Sequence, residues 1–244
     1  MGDGRKHMGK RDFLKKVKGQ LIVSCQALPH EPLHGSKYMA KMALAAKEGG
    51  AAAIRANGVE DILAIKKETG LPVIGLIKQD YENSPVYITP GKREISSLIK
   101  ADVDVIALDA TFQERPGKEC LEELVRYIRE NSDCLIMGDI STFEEGITAA
   151  KVGVDMLSTT LSSYTPYTKD RCIPDIPLIR ELSNATDVPV IGEGNISTPK
   201  EAAHALESGA HAVVVGTAIT RPQIVTKQFY EAIQREAINI HSDK

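Results

Sequence analysis

Lys78 closes an apolar run in PVIGLIKQDY, residues 72–81. Lysine is among the residues least often buried. An amine arriving directly after Val73, Ile74, Leu76 and Ile77 either marks the return to solvent or points into a site. Three chemistries are open to it: a Schiff base with a carbonyl, removal of a proton, or attraction of an anion. A free lysine near pKa 10.4 is almost wholly protonated at pH 7, and bringing it to the working range takes about 4 kcal/mol. Desolvation and a nearby cation both act in that direction. Other apolar runs end on polar groups too: Gln26 after LIVSC, Arg55 and Asn57 in AAAIRAN, Asp109 in DVIALDA, Asp139 in CLIMGDI, Thr159 and Thr160 in DMLSTTL, and Glu193 after VPVIG. Glu193 and Lys78 could serve the two faces of one carbon. The plainer role for Glu193 is a salt bridge to Arg55 or Lys78.

The last run, HAVVVGT, ends on Gly216 and Thr217, then continues through Ala218 and Arg221 to a helix opening at Pro222. Backbone N–H groups at such a glycine-bearing turn and helix start bind phosphate. An ordinary strand-to-helix turn has the same composition, but EGNISTP, with Gly194, supplies the second loop that barrel phosphate sites use. Other candidates are weaker. His30 and His34 have ligand-like spacing inside a proline-rich loop, PHEPLHGS. Asp109 and Asp139 lack a histidine at a neighbouring strand end, so no metal is expected. Cys25 reads as a small core residue, and Met39 and Met42 as helix core.

These groups need a frame that brings them together. The apolar runs recur at 21–26, 51–57, 72–78, 104–110, 134–140, 155–161, 188–194 and 211–217. Charged segments with helical period separate them. KYMAKMALAAKEGG puts Met39, Met42, Ala43 and Ala46 on one face and ends on glycine; GVEDILAIKKETG does the same with Ile62 and Ile65 before Gly70; STPKEAAHALESGA opens on a Ser/Thr-Pro cap. Continuous apolar strands alternating with helices mean a parallel sheet covered by helices. Eight such units imply an α/β fold, a (β/α)8 TIM barrel, whose strand C-termini share one rim. An open Rossmann sheet would call for G-x-G-x-x-G after an early strand, and none is present. Phe13, Leu14 and Val17 suggest a short N-terminal helix covering one end. The reading places a disordered tail over 1–10 and one catalytic domain over 11–240.

With 244 residues, the chain suits a single barrel of this size. A net charge of −3 gives no reason to expect nucleic acid or an anionic membrane as partner. No apolar stretch approaches the ~20 residues of a membrane span. The basic start lacks the apolar segment of a secretory signal. The four cysteines form no CxxC pair, as suits reduced thiols in a cytoplasmic protein. The exposed helix faces show no apolar stripe beyond core needs.

The strings SCQALPHEPLH, GGAAAIRANG, PVIGLIKQDY, VIALDAT, DISTFEEG, STTLSSYTPYT, PVIGEGNISTP and AVVVGTAITRP resemble the N-acetylmannosamine-6-phosphate 2-epimerase family from about Gly19 to Phe229. The resemblance implies a barrel enzyme of sialic acid catabolism. Such an enzyme would interconvert N-acetylmannosamine 6-phosphate and N-acetylglucosamine 6-phosphate by moving the C2 proton, with no cofactor. It implies Lys78 as base and Glu193 as the second essential group. Gln26, Arg55 and Asp139 become substrate contacts, and Gly194, Gly216, Thr217, Ala218 and Arg221 the phosphate site. A homodimer is implied as well. Two positions depart from the family pattern: Thr217 stands where GGAIT has its second glycine, and Asn195 where some members carry a basic residue.

Overall fold

The computed structural model describes residues 9–242. Helix α1 (Lys10–Val17) comes first. Eight parallel strands then close a barrel in sequence order: β1 Leu21–Cys25, β2 Ala53–Asn57, β3 Val73–Leu76, β4 Val105–Asp109, β5 Leu135–Asp139, β6 Met156–Ser158, β7 Val190–Gly192 and β8 Ala212–Val215. β8 returns to β1 through Leu21↔Val213 and Val23↔Val215, so the sheet has no edge. Seven helices follow β1 to β7 in turn: α2 Ser36–Glu48, α3 Val59–Thr69, α4 Lys92–Lys100, α5 Leu121–Asn131, α6 Phe143–Val152, α7 Ile176–Ala185 and α8 Pro199–Glu207. After β8 come the four-residue α9 (Thr217–Thr220) and the long α10 (Pro222–Ser242). This is the expected (β/α)8 TIM barrel. Of the tail expected over 1–10, residues 1–8 lie outside the described residues, and Lys10 opens α1.

The helices begin and end where the chain supplies partners for their free backbone groups. Thr142 caps α6, its Oγ1 accepting from Glu145 N at 3.2 Å while Glu145 Oε2 accepts from Thr142 N at 3.0 Å. Thr198 and Glu201 repeat the device on α8. Each cap is worth about 1 kcal/mol. Gly70 stops α3 at φ +65°, a backbone state glycine adopts without strain.

Strand parity sets the site. Successive side chains on a strand alternate between faces. Ile22, Ala53, Ile74, Leu76, Val105, Ala107, Leu135, Met137, Met156, Ile191, Ala212 and Val214 fill the barrel interior. Two residues further along each strand, on the same inward phase, come Ser24, Arg55, Lys78, Asp109, Asp139, Ser158, Glu193 and Gly216. The lower barrel is therefore greasy and its upper rim polar. Phe13 and Val17 of α1 are fully buried in the same interior cluster and close the lower end. Lys10 Nζ lies 2.9 Å from Asp155 Oδ1, and the His211 ring 2.9 Å from the Leu14 carbonyl, fixing the plug.

Three features differ from the sequence reading. β6 stops at Ser158, and Thr159–Leu161 form a single 3-10 turn. The Thr159 hydroxyl accepts from Glu193 N at 3.1 Å and donates to Glu193 O at 2.7 Å, taking over the cross-strand pairing that a longer β6 would make. β8 stops at Val215; Gly216 turns the chain and Thr217 opens α9. Finally, α10 does carry an exposed apolar face. Every residue from Thr226 to Glu236 is exposed, Phe229, Tyr230 and Ile233 among them. The composition of this helix looks like that of any core-facing one; only its departure from the barrel wall leaves the face uncovered.

Because Phe13 is wholly buried under the barrel, Phe13→Ala is expected to lower unfolding stability by about 3–5 kcal/mol, measured by urea denaturation.

Candidate active site

Residues from several strand ends line one cavity of about 220 Å³, among them Gln26, Arg55, Lys78, Glu193, Gly194, Gly216, Thr217 and Arg221. Asp139, Asp109 and Ala218 are not on its wall. Asp139 lies fully buried behind Arg55, and Ala218 packs against the outer core. Asp109 is equally buried; its Oδ1 accepts from Thr111 N at 2.8 Å and Thr111 Oγ1 at 2.7 Å, and burial pushes its carboxyl up to about 6.

Arg55 is 1% exposed. Its Nη2 meets Asp139 Oδ2 at 2.5 Å; its Nη1 reaches Asp139 Oδ1 at 2.9 Å and Glu193 Oε2 at 2.8 Å. Thr160 Oγ1 donates to Asp139 Oδ1 at 2.9 Å, and Ser158 Oγ to Glu193 Oε2 at 3.1 Å. Burial pulls the guanidinium's pKa down, but Asp139 and Glu193 outweigh it and raise the pKa. Burial pushes Glu193 up, with Asp139 adding to the shift and Arg55 opposing it. Arg55 and Ser158 both bond Glu193 through Oε2.

Lys78 lies just past the end of β3. Its backbone N–H donates to Asn57 Oδ1 at 2.8 Å, and an antiparallel bridge to Ile88 ties it to the returning β3–α4 loop. The amine, half-buried, has no hydrogen-bond or carboxylate partner among the described residues. Burial, then Arg55 and Arg221, pull its pKa from 10.5 down to about 8, against the opposing pull of Glu193 and Asp139. About one molecule in ten then carries a neutral amine at pH 7, against about one in 3,000 at the ordinary value. The arrangement can accept a proton at Lys78 and present a carboxyl at Glu193.

At the β8 side, Gly216 leads into α9, whose first N–H groups have no helical partner. Gly194, at φ +109°, turns the β7 loop toward the same place, where an added Cβ would sit 3.3 Å from the Thr159 carbonyl. The Thr217 side chain lines the cavity, and its Oγ1 accepts from Arg221 Nη1 at 3.2 Å. Gln26 Nε2 donates to Ser24 Oγ at 2.8 Å, while its buried Oε1 has no partner among the described residues.

Sequence reasoning missed Ser24, Tyr87 and Tyr164 on the cavity wall. Ser24 was findable, since it follows Ile22 by two on an inward phase. Tyr87 was not, because its loop is folded over the rim by pairings the sequence does not show, the Lys78↔Ile88 bridge and the Gln79 N–H to Tyr87 carbonyl bond at 2.9 Å among them. Burial and Asp139 push its phenol up to about 12, so it stays a neutral donor. Tyr164, from the β6 loop, reaches Asn195, whose Nδ2 donates to the phenol oxygen at 3.1 Å. Among the described residues no cluster of three histidine, cysteine, aspartate or glutamate side chains could hold a metal. His30 and His34 are exposed, and the thiol of buried Cys25 is pushed up to about 12 by burial.

Residues 39–235 match the family described as "Putative N-acetylmannosamine-6-phosphate epimerase". The chain belongs to this family. A Clostridioides difficile protein described as "Putative N-acetylmannosamine-6-phosphate 2-epimerase" is 55% identical over 91% of this chain and 99% of its own length. A Clostridium perfringens relative with the same description is 53% identical over 91% of this chain and 100% of its own. The solved structure of the N-acetylmannosamine-6-phosphate 2-epimerase from Clostridium perfringens superposes with a TM-score of 0.89. It is 52% identical, and the match covers 94% of this chain and all of that one.

If the surroundings of Lys78 lower its pKa as the geometry requires, competitive acylation followed by mass spectrometry will show Lys78 labelling with a midpoint near pH 8.

Proposed function

We infer that this chain interconverts N-acetylmannosamine 6-phosphate and N-acetylglucosamine 6-phosphate, the epimerase step of sialic acid catabolism. The observation that carries the chemical part is the Lys78 amine: depressed in pKa, free of any carboxylate partner among the described residues, and on one cavity wall with Glu193. C2 of the open-chain sugar lies beside an aldehyde, so its proton is acidic enough for an amine base. Lys78 takes that proton, and the C–H electrons move onto the C1 oxygen as an enolate. Phenol and amide donors on the wall, Tyr87 and Gln26, can stabilise that oxygen. Glu193 then returns a proton to the opposite face through Oε1, the oxygen that Arg55 and Ser158 leave free. Arg55, itself held by Asp139, holds Glu193 in place. The phosphate sits at Gly194, Gly216, Thr217, the N–H of Ala218, and Arg221, where it anchors the substrate remote from the reacting carbon.

Proton NMR of N-acetylmannosamine 6-phosphate with enzyme in D₂O should show epimerisation with loss of the C2 proton signal. Glu193→Gln keeps shape and hydrogen bonding but cannot move a proton. It should stop epimerisation while Lys78 still washes deuterium into C2 of the epimer it deprotonates. Parallel loss of exchange and epimerisation would remove Glu193 as second base. Trapping of a borohydride-stable adduct on Lys78 would instead mark an aldolase.

No helix among the described residues is long and apolar enough to cross a membrane; we propose a cytoplasmic enzyme, consistent with its sugar phosphate substrate. We also propose a homodimer, supported by the exposed Phe229, Tyr230 and Ile233 of α10, an apolar surface of the kind that marks interaction sites. Sedimentation should give a dimer, and Phe229→Glu with Ile233→Lys a monomer; a wild-type monomer at micromolar concentration would refute it.

A further inference from the structure

The segment ALPHEPLHG, residues 27–35, runs from β1 to α2. Its two histidines are exposed, while its glutamate turns inward, with the side chain 9% exposed. Glu31 Oε2 accepts from Leu28 N at 2.7 Å, folding the loop onto itself. Glu31 Oε1 accepts from Arg221 Nε at 2.7 Å, and Oε2 from Arg221 Nη2 at 3.1 Å. This is a side-on, two-point pair with fixed geometry. Gln223 Nε2 adds a second donor to Oε1 at 3.0 Å. Burial would push the Glu31 carboxyl up, but the Leu28 N–H and Arg221 outweigh it and hold it below the usual range. It is therefore ionised at neutral pH.

A guanidinium has five N–H groups. Glu31 takes one on Nε and one on Nη2, and Thr217 Oγ1 takes one on Nη1 at 3.2 Å. One N–H on Nη1 and one on Nη2 remain. The Thr217 hydroxyl, accepting from Arg221, keeps its own proton to donate. Arg221 and Thr217 line the cavity, whereas Glu31 does not. We propose that Glu31 is a positioning residue for the substrate phosphate: it locks Arg221 so that the remaining guanidinium N–H groups and the Thr217 hydroxyl converge at the β8 loop. This inference rests on the reading of that loop as the phosphate site.

Charge alone makes the opposite prediction. A carboxylate beside a dianion repels it, so deleting Glu31 should tighten phosphate binding. Positioning says deletion should weaken it. The sign of the effect decides. KM for N-acetylmannosamine 6-phosphate and the competitive inhibition constant of inorganic phosphate are measured for Glu31→Ala, Glu31→Gln and Arg221→Gln. Glu31→Ala is expected to raise both constants about tenfold, the scale of one charge-assisted hydrogen bond, with the change residing in KM rather than kcat. Glu31→Gln, which keeps an acceptor for Nε, is expected to fall between it and wild type, and it carries the comparison should Glu31→Ala fail to fold. On an Arg221→Gln background, Glu31→Ala should add nothing. If Arg221→Gln raises both constants while the Glu31 variants leave them unchanged or lower them, Glu31 only balances charge and the inference is wrong. If Arg221→Gln changes neither constant, the phosphate reading itself fails.

Discussion

The guanidinium of Arg55, almost wholly buried and bonded to both Asp139 and Glu193, must stay charged if two carboxylates are to sit side by side under the barrel mouth. Removing one member of such a buried set leaves an uncompensated charge and costs about 3–5 kcal/mol, yet an apolar replacement of the whole set is often neutral. Stability alone therefore does not explain the arrangement. Its consequence for Lys78 does. With both carboxylates tied to Arg55, neither is drawn to the lysine, which has no acid partner among the described residues. An ion pair there would raise the amine's pKa; without it, burial and the cations prevail.

Much of this was legible in the sequence because a parallel barrel repeats one rule eight times. Each strand is apolar on both faces, so alternation is invisible in composition, yet the inward phase can be carried forward by counting. From Ile22, Ala53 and Ile74 the count reaches Ser24, Arg55 and, two steps on, Lys78. The same count separates Thr160, which bonds to Asp139, from Thr159, which bonds to a neighbouring backbone. It also explains why Asp109 shares the phase of the site without lining the cavity: Thr111 bonds its carboxylate and Arg115 its carbonyl, holding it in the wall.

What the sequence hid lies in loops and in distance. Tyr87 reaches the cavity only because its loop doubles back onto Lys78. Glu31 and Arg221 stand 190 positions apart, and nothing local in PHEPLHGS indicates which of its polar groups turns inward. The bare face of α10 was hidden differently. Its apolar spacing is that of a packed helix, and the information it lacks is the direction in which the chain leaves Pro222.

The three cations of the cavity divide their work by their partners. Arg55 is matched by Asp139 and Glu193, and Arg221 by Glu31, each through more than one hydrogen bond. Arginine suits that duty, because its fork matches a carboxylate and it does not lose its proton in the working range. Lysine is the cation whose pKa moves readily on burial. An arginine at position 78 would keep the charge but could not act as a base, and a carboxylate beside Lys78 would hold its proton in place. The cations of this rim thus differ by their partners: two paired arginines keep fixed charges in position, and the lysine, without an acid partner among the described residues, is the one whose pKa burial lowers.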